Sequence, residues 1–391
     1  MTGQGELDYG LGETIGLLRE SVRGFALDEI APLAAAIPQK DFFSPELWRE
    51  MGVLGLLGIT VSAEDGGAGM GYLEHVVVME EISRVSAALG LAYSAHSNLC
   101  VNQLRLHGTE EQKRRYLPGL ISGELVGALA MGWAEAGPDV ASPDLSAEKQ
   151  GTLYNLNGVT RSCCGRPDAD VLIVYAGTSS PQEPLAISAF IVEKNTPGLQ
   201  VSDQPDTQML PGESMAELRF ADCRIAEENL LGEADRSGQV LLSGLDCERL
   251  ILAGGALGVM AACLDLLLPE MQHHKHKQLC RTARELRLLE GAIAEMYTTL
   301  CACRSYVYTV ARAADGGTSV RKDGTGTLLF VAERAIEMVL DAARLLGGKD
   351  QHDDYSLSRL HRDARLFAGG EAAAKSRRLQ VARELFPEPG R

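Results

Sequence analysis

Few stretches of this 391-residue chain carry side chains whose types and spacing could do chemistry unaided. His273, His274, His276 and Cys280 could together suggest a metal site. Their spacing is not that of a zinc motif, and Lys275 and Lys277 would repel a cation, so a solvated basic loop is expected and no metal. The adjacent pair Cys163-Cys164 has no base motif beside it and reads as inert. Residues 66–71, Gly-Gly-Ala-Gly-Met-Gly, could mimic a phosphate cradle. No strand-to-helix phosphate motif surrounds them, so an interhelix turn is expected. No Gly-x-Ser-x-Gly nucleophile elbow appears.

The elements that would position any site fall in the order helical, β, helical. Leu17, Leu18, Val22, Phe25 and Ile30 recur at helical spacing. Ser44-Pro45-Glu46-Leu47 opens a helix with a Ser cap and Pro at its first position. Runs such as Val171-Leu172-Ile173-Val174-Tyr175 and Ile187-Ser188-Ala189-Phe190-Ile191-Val192 predict strands, separated by Gly, Pro, Ser and Asn clusters. Long patterns rich in Leu, Ala, Arg and Glu then return. The expected domains are 1–125 helical, 126–235 β and 236–391 helical.

A net charge of −16 excludes a nucleic-acid binder, which needs a basic face, and disfavours anionic membranes. Acidic substrates stay open, because a basic pocket can sit in an acidic protein. The uncharged stretch 250–264 is too short to span a bilayer and predicts a core helix. Residues 1–6 show neither a basic start nor an apolar run, so no secretory signal is expected. Nine scattered cysteines suit a reducing, cytoplasmic compartment.

Three segments are similar to the acyl-CoA dehydrogenase family, and most closely to its isovaleryl-CoA dehydrogenase branch. They are residues 71–84 (GYLEHVVVMEEISR), 95–100 (AHSNLC) and 167–175 (PDADVLIVY). The segment 244–255 (GLDCERLILAGG) resembles that branch's catalytic-base region. The resemblance covers nearly the whole chain. It implies an N-terminal α-helical domain, a middle β domain and a C-terminal four-helix bundle, assembled as a homotetramer or homodimer. It also implies chemistry: a glutamate removes the α-proton of an acyl thioester while FAD takes a hydride from the β-carbon. Glu248 holds the base position of the isovaleryl branch, and Asp246 and Arg249 match positions that contact CoA. Glu371 falls where most of the family keeps its base, without the usual Gly-Thr after it. Two carboxylates aimed at one carbon would couple, leaving one of them protonated near neutrality.

Most of the positions that the resemblance assigns to flavin are altered. Met131, Gly347 and Gly348 are kept, whereas Gly132, Ser162 and Cys164 are substituted. Gly132 stands for a hydroxyl on the flavin ring, Ser162 for a packing Trp, and Cys164, a weak donor, for a Thr. Pro211-Gly212-Glu213-Ser214-Met215 replaces Arg-Gly-Ser-x-Thr, and residues 274–279 (HKHKQL) replace an Arg-x-x-Phe-Gly-Gln pyrophosphate loop. Losing those contacts would remove about 5–7 kcal/mol, or roughly four to five decades of affinity. The expectation is therefore an enzyme without cofactor. Glu248 would act on an acyl-CoA or a carrier-protein thioester in a redox-neutral elimination, isomerisation or internal displacement, such as cyclopropane formation. Two alternatives are an FAD-dependent short branched-chain acyl-CoA dehydrogenase and a non-catalytic thioester-binding partner.

Overall fold

The structure is a computed structural model. It describes residues 7–35, 44–131, 145–163, 169–178, 186–202, 217–276, 283–346, 356–369 and 371–386. Helix α1 (Gly12–Phe25) passes through a π-helical turn into α2 (Ala31–Ala35). In α3 (Pro45–Val53) the Ser44 hydroxyl accepts a hydrogen bond from the Leu47 N–H at 3.2 Å, the cap that the Ser-Pro pair predicts. Next come α4 (Tyr72–Val85) and α5 (Ala87–Ser94), then a π-helical segment (Ala95–Asn102), α6 (Gln103–His107) and α7 (Glu110–Ser122). A Thr109–Gln112 capping box starts α7, and Gly123 ends it at φ 75°.

Eight strands follow: β1 (Gly127–Met131), β2 (Leu145–Gln150), β3 (Leu153–Cys163), β4 (Val171–Gly177), β5 (Ile187–Glu193), β6 (Leu199–Val201), β7 (Glu217–Ala226) and β8 (Leu230–Leu231). They form one sheet in the order β6-β7-β3-β1-β4-β5-β8, with β2 pairing both β3 and β4. Only β4 runs parallel to β1 and to β2; the other pairings are antiparallel. β4 is buried along its full length, which explains its unbroken apolar run. Val171, Ile173 and Tyr175 face a core shared with Leu99, Leu104, Tyr116 and Leu120. Leu172, Val174 and Ala176 face a second core with Leu156, Phe190 and Phe220.

The C-terminal helices are α8 (Ser237–His276), α9 (Ala283–Asp315), α10 (Arg321–Leu346), α11 (Ser356–Ala368) and α12 (Glu371–Leu385). The part of α8 from Val240 to Pro269 is long and apolar enough to cross a membrane by composition, but 83% of its most apolar window is buried inside the protein. It is a core helix. Glycine lets it lie on α4: a Cβ at Gly258 would sit 2.3 Å from the Glu80 carbonyl oxygen.

By packing, the chain divides into two compact units, neither one a continuous stretch of sequence. One comprises residues 1–35, 72–90 and 249–391; the other comprises 36–71 and 91–248. The first is helical and holds a buried ionic cluster. There Arg304 Nε donates to Glu80 Oε1 at 2.8 Å, Tyr308 donates to Glu80 Oε2, and Arg19 lies 3.5 Å from the same oxygen. The second holds the sheet, the helical residues from Leu91 through α7, and Glu248.

The glycine-rich loop is a turn. Its N–H groups point inward to its own chain: Ala68 N donates to Gly58 O at 3.1 Å, Gly69 N to Val61 O at 2.7 Å and Met70 N to Ile59 O at 2.9 Å. The N-terminus of α4 is already capped by a carboxylate, since Asp315 accepts from the Tyr72 and Leu73 N–H groups at 2.6 and 3.2 Å. These N–H groups are already taken and are not open to a phosphate.

Candidate active site

The site is built on the junction between α5 and the π-helical segment. Ser94, Asn98 and Asn102 are spaced four apart and all are buried. That spacing lines their side chains along one side of the helical rod. His96, between them, anchors the segment. The Gly127 N–H donates to its Nδ1 at 2.9 Å, and its Nε2 lies 3.0 Å from the Leu120 carbonyl oxygen. An Nδ1 that accepts leaves the proton on Nε2, so the ring is neutral. Burial pushes its pKa down to about 4.

Glu248 comes from α8. One turn earlier, Gly244 lets that helix approach α6: a Cβ there would lie 2.5 Å from the Gln103 side-chain amide. The Glu248 side chain lands between Ser94 and Asn98. Ser94 Oγ donates to Oε1 at 2.7 Å, and Asn98 Nδ2 donates to Oε2 at 2.7 Å. The residue is 5% exposed. Burial pushes its pKa up to about 7, against the pull of the two hydrogen bonds, which favour the anion. A carboxyl held at that value is a general base matched to neutral pH.

The polar contacts continue behind it. Asn98 Nδ2 also donates to the Gly244 carbonyl at 3.2 Å, and Asn102 Nδ2 donates to Asn98 Oδ1 at 3.0 Å. Asn102 Oδ1 accepts from Arg105 Nε at 2.9 Å and from Thr60 Oγ1 at 3.3 Å. Asn98 and Gly244 fall in segments that carry the family likeness, but sequence alone gives none of these residues a role at the site. The signal was the Ser-Asn-Asn recurrence at four-residue intervals, Ser94, Asn98 and Asn102, along a buried helical stretch.

The other expected site residues are placed unevenly. Asp246 and Arg249 are half-buried on α8. Burial and then the charge of Arg249 lower the Arg377 guanidinium to about 10. Arg377 itself donates to the Ala368 carbonyl at 2.6 Å. Glu371 is the first residue of α12, and its side chain lies outside the described residues. Among the described residues, burial, Ser94 and Asn98 account for the Glu248 displacement, with no second carboxylate acting on it. The side chains of Cys163, His273, His274 and His276 lie outside the description, as do Cys164 and Cys280 altogether.

Met131 ends β1 and is buried. The β1–β3 register sets Ala130 opposite Ser162 and Met131 opposite Arg161. The two strand ends that lead to the expected flavin positions therefore lie side by side. Main-chain groups there are set by register and not by side-chain identity, so the substitutions leave them in place. Gly132, Cys164, Gly347, Gly348 and residues 211–215 lie outside the described residues, as does the side chain of Ser162.

Comparison with known proteins adds to this geometry. Family models match residues 13–124 as an acyl-CoA dehydrogenase N-terminal domain and residues 237–386 as an acyl-CoA dehydrogenase C-terminal domain. The mitochondrial isovaleryl-CoA dehydrogenase of Pongo abelii is 46% identical over 96% of this chain and 89% of its own. The mitochondrial 2-methylacyl-CoA dehydrogenase of Solanum tuberosum is 42% identical over 96% of this chain and 91% of its own. A solved structure of the FAD complex of PigA superposes with a TM-score of 0.86 at 26% identity, covering 97% of this chain and 99% of that one.

These findings overturn the expectation of an enzyme without cofactor. Relatives this similar are dehydrogenases, and a neighbour of the same fold holds FAD. The redox-neutral outcome and cyclopropane formation rested on that expectation and are left without support. The physical error lies in the sum of lost contacts. It treated substitutions around one ligand as independent, whereas neighbouring contacts on a shared ligand are not additive. It also gave no weight to main-chain contacts, which substitution leaves in place. With both terminal domains matched and the fold in agreement, this chain belongs to the acyl-CoA dehydrogenase family.

Proposed function

We propose that this protein is an FAD-dependent dehydrogenase of short branched acyl-CoA thioesters, with Glu248 as the base that removes the α-proton. The observation that carries the reading is the Glu248 carboxyl, buried between two neutral donors and raised to about 7. A carboxylate of that basicity takes a proton more readily than an exposed one, yet half of it is ionised at neutral pH. Bound FAD would accept the hydride from the β-carbon. Met131 and the strand end at Ser162 would contribute main-chain contacts to the flavin, while Asp246 and Arg249 would hold the CoA moiety. The short branched acyl group is supported by the likeness of the segment around Glu248 and by the relatives named above. The same likeness supports a homotetramer or homodimer.

The test is optical. The purified protein is incubated with FAD, freed of excess cofactor and mixed anaerobically with isovaleryl-CoA. Flavin bands that co-elute with the protein and bleach on mixing are expected, with bleaching abolished in Glu248→Gln. A protein that elutes colourless, or bleaching that survives in Glu248→Gln, overturns the reading.

A further inference from the structure

The buried ladder behind Glu248 has a direction. An amide side chain can be turned either way, so its orientation must come from its neighbours. Arg105 stands at the far end, and a guanidinium only donates. Asn102 must therefore present its oxygen to Arg105 and Thr60. Its nitrogen then faces Asn98, which must answer with its own oxygen. The Asn98 nitrogen is left facing two acceptors, the Gly244 carbonyl and Glu248 Oε2. The Gly244 carbonyl cannot donate, so both ends of the ladder demand the same orientation.

The two oxygens of Glu248 are consequently unequal. Oε2 meets an amide nitrogen that donates and cannot accept. Oε1 meets the Ser94 hydroxyl, which does both. When the carboxyl is protonated, only the Ser94 side can take a hydrogen bond from it. We propose that Asn98 is a positioning residue for Glu248, oriented from Arg105 through Asn102, so that Oε2 stays unprotonated and the abstracted proton is held on Oε1 against Ser94. This inference rests on the reading of Glu248 as the base. In that step the substrate Cα–H bond breaks, its electron pair stays with the substrate, and the proton bonds to the carboxylate.

The groups that face Glu248 are Ser94 and Asn98, with the Gly244 carbonyl one turn back on its own helix sharing the Asn98 amide. Arg105 is the charged group at the end of the ladder. Removing the Asn98 donor disfavours the anion, so the pKa rises. A loss of one hydrogen bond to a charged group moves it by about one unit, a tenfold change in the ionisation constant. Ser94→Ala removes a donor from the anion and an acceptor from the acid, so it moves the pKa less.

The experiment reads kcat for isovaleryl-CoA with an artificial electron acceptor, on FAD-loaded enzyme, from about pH 5 to pH 10. An infrared titration of the Glu248 carboxyl, identified by its absence in Glu248→Gln, accompanies it on protein without substrate. Asn98→Leu is expected to shift the ascending limb and the infrared midpoint up by about one unit. KM stays constant and the high-pH plateau is recovered, and at pH 7 the loss is about fivefold. Ser94→Ala should shift both less, and Ser94→Thr, which keeps the hydroxyl, should restore them. Arg105→Met lies further from the base and should shift both in the same direction by a smaller amount. It decides the question if Asn98→Leu does not fold. An unmoved limb and midpoint in Asn98→Leu, or in Arg105→Met where that variant decides, overturn the proposal. Full activity in Glu248→Gln would instead remove the base reading on which it stands.

Discussion

Glu80 and Glu248 are both buried carboxylates contributed by helices, and their surroundings drive them to opposite ends of the acid–base scale. Glu80 is 0% exposed and Glu248 is 5% exposed. Burial alone raises both. At Glu80, Arg304, Arg19 and the Tyr308 hydroxyl more than offset that cost and hold the carboxyl at about 2. At Glu248 the partners are a hydroxyl and an amide, which carry no charge, and burial prevails at about 7. A cationic cage makes a permanent anion that ties helices together. A neutral cage makes a base that can gain and lose a proton near pH 7. The charge of the partners, not the depth of burial, separates a permanently ionised carboxylate from one that titrates near neutrality here.

The largest expected break of this comparison is functional. Glu248→Gln should lower the rate of α-proton removal by about a thousandfold, while the urea midpoint stays at or above that of the unaltered protein. Steady-state assays and equilibrium unfolding on the same preparation check both parts. Glu80→Gln should do the reverse. It leaves Arg304 buried without its carboxylate, at a cost of about 3–5 kcal/mol read from urea unfolding, with turnover per folded molecule little changed.

The pH dependence of stability sharpens the contrast. Glu80 is lowered on folding, so its contribution is present above the ordinary carboxylate range and is lost as pH falls toward 2. Glu248 is raised on folding, so the folded protein binds the proton more tightly, and stability falls as pH rises from about 4.5 to about 7. Each slope is about 1.4 kcal/mol per pH unit at its steepest. Unfolding free energies across this range should lose the first slope in Glu80→Gln and the second in Glu248→Gln. Like slopes for the two variants would refute the contrast.

The smallest effects concern the glycines that seat α8 beside each carboxylate. Gly258→Ala drives a methyl group into the Glu80 main chain at 2.3 Å and should cost about 1–3 kcal/mol in thermal or urea unfolding. Gly244→Ala meets the Gln103 side chain at 2.5 Å, which can turn aside, so it should cost less stability. It should still lower kcat by displacing Glu248, measured beside its melting temperature.

Much of the fold was legible because local rules hold along the chain. The Ser44-Pro45 cap, the buried run of β4 and the apolar stretch of α8 each follow from a few neighbouring residues. Glu248 itself was legible through the likeness of residues 244–255 to a known base segment. What was not legible is why that carboxyl is raised toward neutrality. Ser94 and Asn98 are about 150 positions away in sequence, and no periodicity links them to α8. The cofactor was misjudged for a related reason: side-chain substitutions are visible in a sequence, while the β1–β3 register that carries main-chain groups is not.

The sequence by itself determined the order of helices and strands, the family likeness and which carboxylate is proposed as the base, because these depend on short-range pattern. Tertiary structure alone decided that Glu248 meets two neutral donors while Glu80 meets arginines, and that an arginine three residues from one end of a buried ladder orients the amide at the other. A pKa depends on which charges come within a few ångströms after folding, and that distance is set by packing between segments far apart in the chain.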